Sequence, residues 1–435
     1  MRWLALSLLL IACAKERPST PDTTLAPEPD TTLAPDIAEP EPDAAEPEPD
    51  IAPRPRLDAA AFAITPIPAE LMVYRSTPVA LKVTTATDAG ELPAGLTCRW
   101  RMGDGTPEVT GCEIEHVFLG GSADARIGVT LQLDGEEISL SRIIPLERLE
   151  VMKRPAPTDV SLPTAPDGPT SFRAVFVSDT AELEGEALPA LADAVSALSP
   201  HLVIHQGGLA DTHDSSSWTE FRDAFAERLR SRGIPLLIAP SPGDLAEGGE
   251  IRRPLDSRGE PIELIDSEGF PSRYALSFRG VFFAIISGAE QDQGADSGLK
   301  WLKTRLAEAQ VYESRLVLSH LPLHPFSAVK TELIGPRFKL YELLHRGRVT
   351  ALVSAASRAF FKGRYGALSV LSVGSAKGGM ALLGHDHEQP ASIAIIDFEN
   401  GAPSRVFSLV SRGDTMFSEL FDETRLPETV EVYTR

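Results

Sequence analysis

The residues of this chain with the most chemical potential sit in loops that each follow a short apolar run. Phe172 to Val177 leads into Ser178-Asp179-Thr180-Ala181, Leu202 to Gln206 into Gly207-Gly208, and Leu236 to Ile238 into Pro240-Ser241-Pro242-Gly243-Asp244. Further on, Arg315 to Ser319 leads into His320-Leu321-Pro322-Leu323, and Thr350 to Ser354 into Ala355-Ala356-Ser357-Arg358. Carboxylates and imidazoles gathered at strand ends suit metal-assisted hydrolysis, in which cations about 4 Å apart are held by such ligands and activate water. Asp179 and His320 are of that type. Arg358 is of the opposite type, since a guanidinium is always protonated and repels a cation.

In order and context these loops resemble those of the calcineurin-like metallophosphoesterases, whose chains run strand, DxH; strand, GDxxx; strand, GNHD; strand, H; strand, GHxH. Pro200 to Asp211 resembles the family's PDLVLHLGDLVY, Ile234 to Asp244 its VPVYPVPGNHD, and Val349 to Arg358 its VDLVLSGHDH. Tyr274 to Phe278 with the run to Ile286 resembles a central strand pair of the family, and Leu299 to Leu306, around Trp301, its WLEAQL helix. The resemblance runs from about Ser171 to Leu409 and implies an α/β metallophosphoesterase-like sandwich.

Carried over residue by residue, the resemblance leaves Asp179 and His320 as relics of the metal site. The other ligand positions are Ala181, Gly208, Pro242, Ala356 and Arg358, and the family's candidate general acid is replaced by Gly243. The implied domain is therefore inactive, with no cofactor expected. The alternative is an active phosphoesterase holding two divalent or trivalent metal ions through relocated ligands. Asp211 stands where purple acid phosphatases, a branch of the family, carry a Tyr ligand. Gly384-His385-Asp386-His387 is a literal GHxH, but it reads as a solvated loop ahead of the strand Ser392 to Phe398. His205 reads as a packed strand residue, and His213 and His324 as loop residues without a visible partner.

The N-terminus speaks for export. Met1-Arg2 precedes a short apolar stretch, Trp3 to Ala12, too short to span a bilayer as a stable helix, and Leu10-Ile11-Ala12-Cys13 resembles a bacterial lipobox. In that class Cys13 is lipidated after cleavage, and several acyl chains anchor stably where one does not. The expected location is the bacterial cell envelope, lipid-anchored, at the outer membrane facing the periplasm or the surface. Cys98 and Cys112 then remain as an even pair about the turn Gly103-Asp104-Gly105, and a disulfide between them is expected in an oxidising compartment. A net charge of −21 disfavours nucleic acid as a partner, because neutralising phosphates takes clustered Lys and Arg. The partners expected are the membrane, through the anchor, and an unnamed protein or ligand.

Composition divides the 435 residues into several parts. Residues 1–12 read as the signal peptide, and 13–58 as the lipidated Cys with a Pro-rich, acidic tether in which frequent Pro forbids ladders and like charges extend the chain. Residues 59–150 alternate as short strands. Arg99 to Gly105, Ile114 to Phe118 and Ile127 to Leu133 resemble elements of the PKD domain, which implies an immunoglobulin-like β-sandwich. Residues 151–170 read as a Pro-rich linker, 171–410 as the metallophosphoesterase-like domain, with helices at Ala187 to Leu198 and Trp218 to Ser231, and 411–435 as a tail. The fold expected is multidomain, a β-sandwich followed by an α/β sandwich.

Overall fold

Strict alternation makes the first strands. In Asp124–Leu133 the residues Ala125, Ile127, Val129, Leu131 and Leu133 are buried while their neighbours are partly or fully exposed, as the two-residue period of a half-buried strand requires. The computed structural model describes residues 57–66, 78–86, 90–118, 124–145, 149–151, 162–181, 183, 185–210, 215–245, 251, 262–287, 295–323, 327, 337–383, 385–412, 415–427 and 429–430. Cys13, nearly all of the tether, Asp211, His213 and His324 lie outside the described residues.

Among the described residues seven strands come first: β1 (Phe62–Pro66), β2 (Pro78–Thr85), β3 (Thr97–Arg101), β4 (Val109–Thr110), β5 (Glu113–Val117), β6 (Asp124–Leu133) and β7 (Glu136–Pro145). They form a three-stranded sheet, β1-β2-β5, and a four-stranded sheet, β4-β3-β6-β7, which share one core around Leu81, Trp100, Ile127 and Leu131. Cys98 and Cys112 are joined by a disulfide across the β3–β4 hairpin. Closing a loop of this size is worth about 3 kcal/mol in the chain-entropy model. Asp104 holds the turn: its carboxylate accepts from the backbone N–H and hydroxyl of Thr106 and faces Nε2 of His116 at 2.8 Å. At Gly103, φ is +73° and a Cβ would lie 2.5 Å from the carbonyl oxygen of Arg126, so only glycine fits.

The remainder opens with β8 (Leu149–Val151) and β9 (Phe172–Val177), α1 (Ala187–Ala197), β10 (Leu202–His205), α2 (Ser215–Glu220), a π-turn at Phe221–Ala226, α3 (Glu227–Ser231) and β11 (Leu236–Ile238). Then follow β12 (Glu263–Asp266), β13 (Arg273–Phe278), β14 (Val281–Ile286), α4 (Ala295–Glu308), β15 (Ser314–Ser319), α5 (Arg337–Arg346), β16 (Ala351–Ser354), β17 (Phe360–Tyr365), β18 (Leu368–Val373), β19 (Ser392–Glu399), β20 (Ala402–Arg412), β21 (Thr415–Leu420) and β22 (Thr429–Val430). One sheet runs β11-β10-β9-β19-β20-β21 and the other β12-β13-β14-β15-β16-β18-β17-β8-β22.

Both faces of β9 are buried, which is why it reads as an uninterrupted apolar run. Phe172, Ala174 and Phe176 enter the large core that the first sheet shares with Phe283, Ile285, Val317 and Val353 of the second. Val175 and Val177 face the other way, toward Leu188, Leu191 and Val195 of α1 and the rings of Phe221 and Phe225. Helices α4 and α5 add Leu302, Leu306, Leu340 and Leu344 to the large core. The result is an α/β arrangement of helices flanking two packed sheets. Strands β9, β10 and β11 are mutually parallel, as are β14, β15, β16 and β18, so the loops at their carboxyl ends lie on common edges.

Two boundaries drawn from composition fall inside strands. The linker expected to begin at 151 starts within β8, which pairs with β17 and β22, and the tail expected from 411 begins within β20, with β21 paired beyond it. Strands as short as β8 and β22 carry no readable period, so composition alone marks such stretches as connections. The helix expected from Trp218 to Ser231 begins at Ser215 and contains a π-turn.

Candidate functional site

The loops after β9, β10, β11, β15, β16 and β18 are knit together by backbone hydrogen bonds. The amides of Asp179 and Thr180 donate to the carbonyls of Gly207 and Gly208, at 3.0 and 2.7 Å. The Ala376 amide donates to Ser178, those of Ala355 and Ala356 donate to His320, and that of Met380 donates to Arg358. Crevices beyond the carboxyl ends of parallel strands are the usual place for ligands in open α/β sheets. Asp179, Gly208, His320 and Arg358, singled out from sequence, belong to this one cluster.

Asp179 and Arg358 meet there. Nε of Arg358 lies 3.6 Å from Oδ2 of Asp179, and both residues adopt the left-handed backbone conformation, with φ of +54° and +52°. Such values are uncommon outside glycine and tend to persist at functional positions, where the surroundings enforce them. Burial pushes the Asp179 carboxyl above the ordinary aspartate range, opposed by the positive charge of Arg358, by His320, by the nearby Ser375 hydroxyl and by Lys377. Ser375 and Lys377 were not found from the sequence; the only signal was a Gly-rich stretch after the strand at 368–373.

His320 is oriented by its Nδ1, which lies 2.6 Å from the carbonyl oxygen of Gln206. A carbonyl only accepts, so Nδ1 carries a proton in either charge state of the ring, and Nε2 offers a lone pair only when the ring is neutral. Asp244 is a clamp: its carboxylate accepts from the amides of Gly208, Leu209 and Ser241 at 3.0, 2.9 and 2.7 Å. His205 is fully buried with Nε2 at 2.9 Å from the Thr180 hydroxyl and its ring edge-on to Phe221 and Phe225. Burial pushes its pKa down to about 3. It packs as a neutral strand histidine.

The donors present fit a metal pair poorly. Gly208 has φ of +68°, and a Cβ there would stand 2.9 Å from Oδ1 of Asp179 and 3.1 Å from its Cα. The backbone has therefore closed over the place where the resemblance puts a bridging carboxylate. Asp179 faces a guanidinium instead of a second ligand. Among the described residues no three His, Cys, Asp or Glu side chains converge as a metal-binding group. No hydrolytic step through a metal follows from this donor set.

His385 and His387 lie in the irregular segment before β19 and line a separate cleft of about 720 Å³ with Glu388, Glu419, Asp422 and Arg425 over Leu382, Leu420 and Phe421. Neither Asp179 nor His320 lines that cleft.

No family model matches this chain, and no curated protein matches it. Solved structures similar to it include a dimetal phosphatase from Danio rerio, at 14% identity over 55% of this chain and 95% of that one, with a TM-score of 0.39. Another is GAP50, the anchor in the inner membrane complex of Plasmodium, at 10% identity over 61% and 90% of the two chains and a TM-score of 0.42. A third is a 5'-nucleotidase from Staphylococcus aureus, at 12% identity over 56% and 55% and a TM-score of 0.32. At this level of identity the similarity concerns fold, and it spans a little over half of this chain.

Proposed function

We propose that this protein is a lipid-anchored envelope protein whose metallophosphoesterase-like domain binds or scaffolds and does not hydrolyse. Cys13 carries the anchor, residues 13–58 act as a spacer, and residues 59–150 form a PKD-like, immunoglobulin-like module that displays the domain. One observation carries the non-catalytic reading: a guanidinium, Arg358, stands 3.6 Å from Asp179 in the cluster where metal chemistry would need an imidazole. A permanent cation beside that carboxylate opposes the binding of another cation.

The deciding experiment is metal analysis of the dialysed full-length protein, together with rates on phosphomonoesters and phosphodiesters in added manganese, zinc or iron. Little retained metal and background rates are expected. About two equivalents of tightly held metal, with hydrolysis abolished by Asp179→Ala or His320→Ala, would refute the reading. The anchor is tested separately. Cys13→Ser is expected to move the protein from the detergent phase to the aqueous phase, and unchanged partitioning would remove lipidation from the proposal.

A further inference from the structure

The same strand-end cluster has its charge inverted relative to a metal site, and the inversion has a chemical use. Around Asp179 stand the guanidinium of Arg358, the ammonium of Lys377 and the imidazole of His320, all close enough to act on its carboxylate. One carboxylate thus faces a guanidinium, an ammonium and an imidazole. Arg358 keeps 38% of its side chain exposed, so the cluster opens to solvent through its strongest cation. The loops also hold buried polar atoms that make no hydrogen bond: Oδ2 of Asp179, both amide atoms of the fully buried Gln206, and the hydroxyl of the fully buried Ser357. Buried polar atoms are paired in most native proteins, and each unpaired one calls for an explanation, a ligand or solvent among them.

Resting on the non-catalytic reading above, we propose that this crevice binds a small oxyanion without any metal, gripped by Arg358 with Lys377 and His320 beside it. A guanidinium presents a planar fork of donors that matches two oxygens of a carboxylate or phosphate, and an ammonium adds a point charge. His320 suits a protonated oxyanion, since its Nε2 accepts from an O–H while Nδ1 remains held by Gln206. Asp179 is the competitor that an incoming anion displaces from Arg358.

The test is isothermal titration of the full-length protein in chelator, with inorganic phosphate in one arm and acetate in the other. Saturable binding of either anion is expected, weakened about tenfold or more in Arg358→Gln and several-fold in Lys377→Gln. Preference for phosphate identifies a tetrahedral group as the occupant, and preference for acetate a carboxylate. Because Arg358→Gln leaves Asp179 buried without its partner, the double variant Arg358→Gln with Asp179→Asn is measured as well, with circular dichroism confirming its fold. Absence of binding to both anions, or binding unchanged in the folded double variant, overturns the inference while leaving the non-catalytic reading intact. Binding that appears only when metal is added overturns both.

Discussion

The two ends of strand β9 carry one ion pair each, and they are built to opposite standards. At the start of the strand Arg173, 4% exposed, grips Asp397 through Nε at 2.7 Å and Nη2 at 3.0 Å, while its other donors reach the carbonyls of Leu198 and Pro163. Arg405 adds a further contact to Asp397 at 2.8 Å. Just past the other end, Asp179 has a single cation at 3.6 Å, an oxygen without a hydrogen bond and a left-handed backbone. A buried pair survives when its geometry is good and its remaining polar atoms are satisfied. The first pair meets that condition and serves the fold. The second does not, and loose polarity at a strand end is what a binding site requires.

That contrast is most easily broken at the well-made end. Asp397→Asn keeps the shape but leaves the buried guanidinium of Arg173 without its counter-charge, and a loss of about 3–5 kcal/mol of unfolding free energy is expected in denaturant titration. A loss below about 1 kcal/mol would mean that the pair contributes little and the comparison has no energetic content.

A smaller effect is expected at Gly208. Gly208→Ala forces a side chain into left-handed backbone and against Asp179, at a cost of about 1–2 kcal/mol. Gly208→Asp is expected to be destabilised at least as much and to retain no manganese or zinc after dialysis. Retained metal in that variant would show that the loop reopens around a restored carboxylate.

The smallest effect is expected for Asp179→Asn, within about 1 kcal/mol of wild type and favouring the variant at neutral pH. The sign follows from linkage. A carboxyl whose pKa is raised by folding holds its proton more tightly in the native state, so wild-type stability falls as pH rises from the ordinary aspartate range through the raised value. The advantage of Asn should therefore vanish in acid and grow toward neutrality. A variant destabilised at neutral pH would place Asp179 among the residues that hold the fold together.

How much of this was legible in the sequence depends on the range of the interaction. The strand at 172–177 announced itself because both of its faces are buried, and the strand at 124–133 because only one is. The turn at Asp104 and the Cys98–Cys112 pairing were legible because their partners lie within one hairpin. His320 and Arg358 stood out because each ends a readable strand. The resemblance put Arg358 and Asp179 at ligand positions of one site, but their ion pair across two sheets was not legible, since no local pattern records it. Nor was the closure of backbone over Gly208, because glycine in a loop has many meanings. The short strand β22 was read as tail, and β8 was divided between the sandwich and the linker, for want of any period.

Those two short strands also fix an order of events. Residues 149–151 lie in the second sheet between β17 and β22, so the segment that leads into the α/β part is bracketed by partners that follow it by about two hundred residues or more. Contacts so distant along the chain form slowly, because a large loop must close before the pairing repays it. During vectorial synthesis this edge of the sheet stays unfinished until residue 430 has emerged, and the disulfide-bonded strands before it have every opportunity to fold first. Completion of this sheet edge would thus wait for β22, the last strand among the described residues.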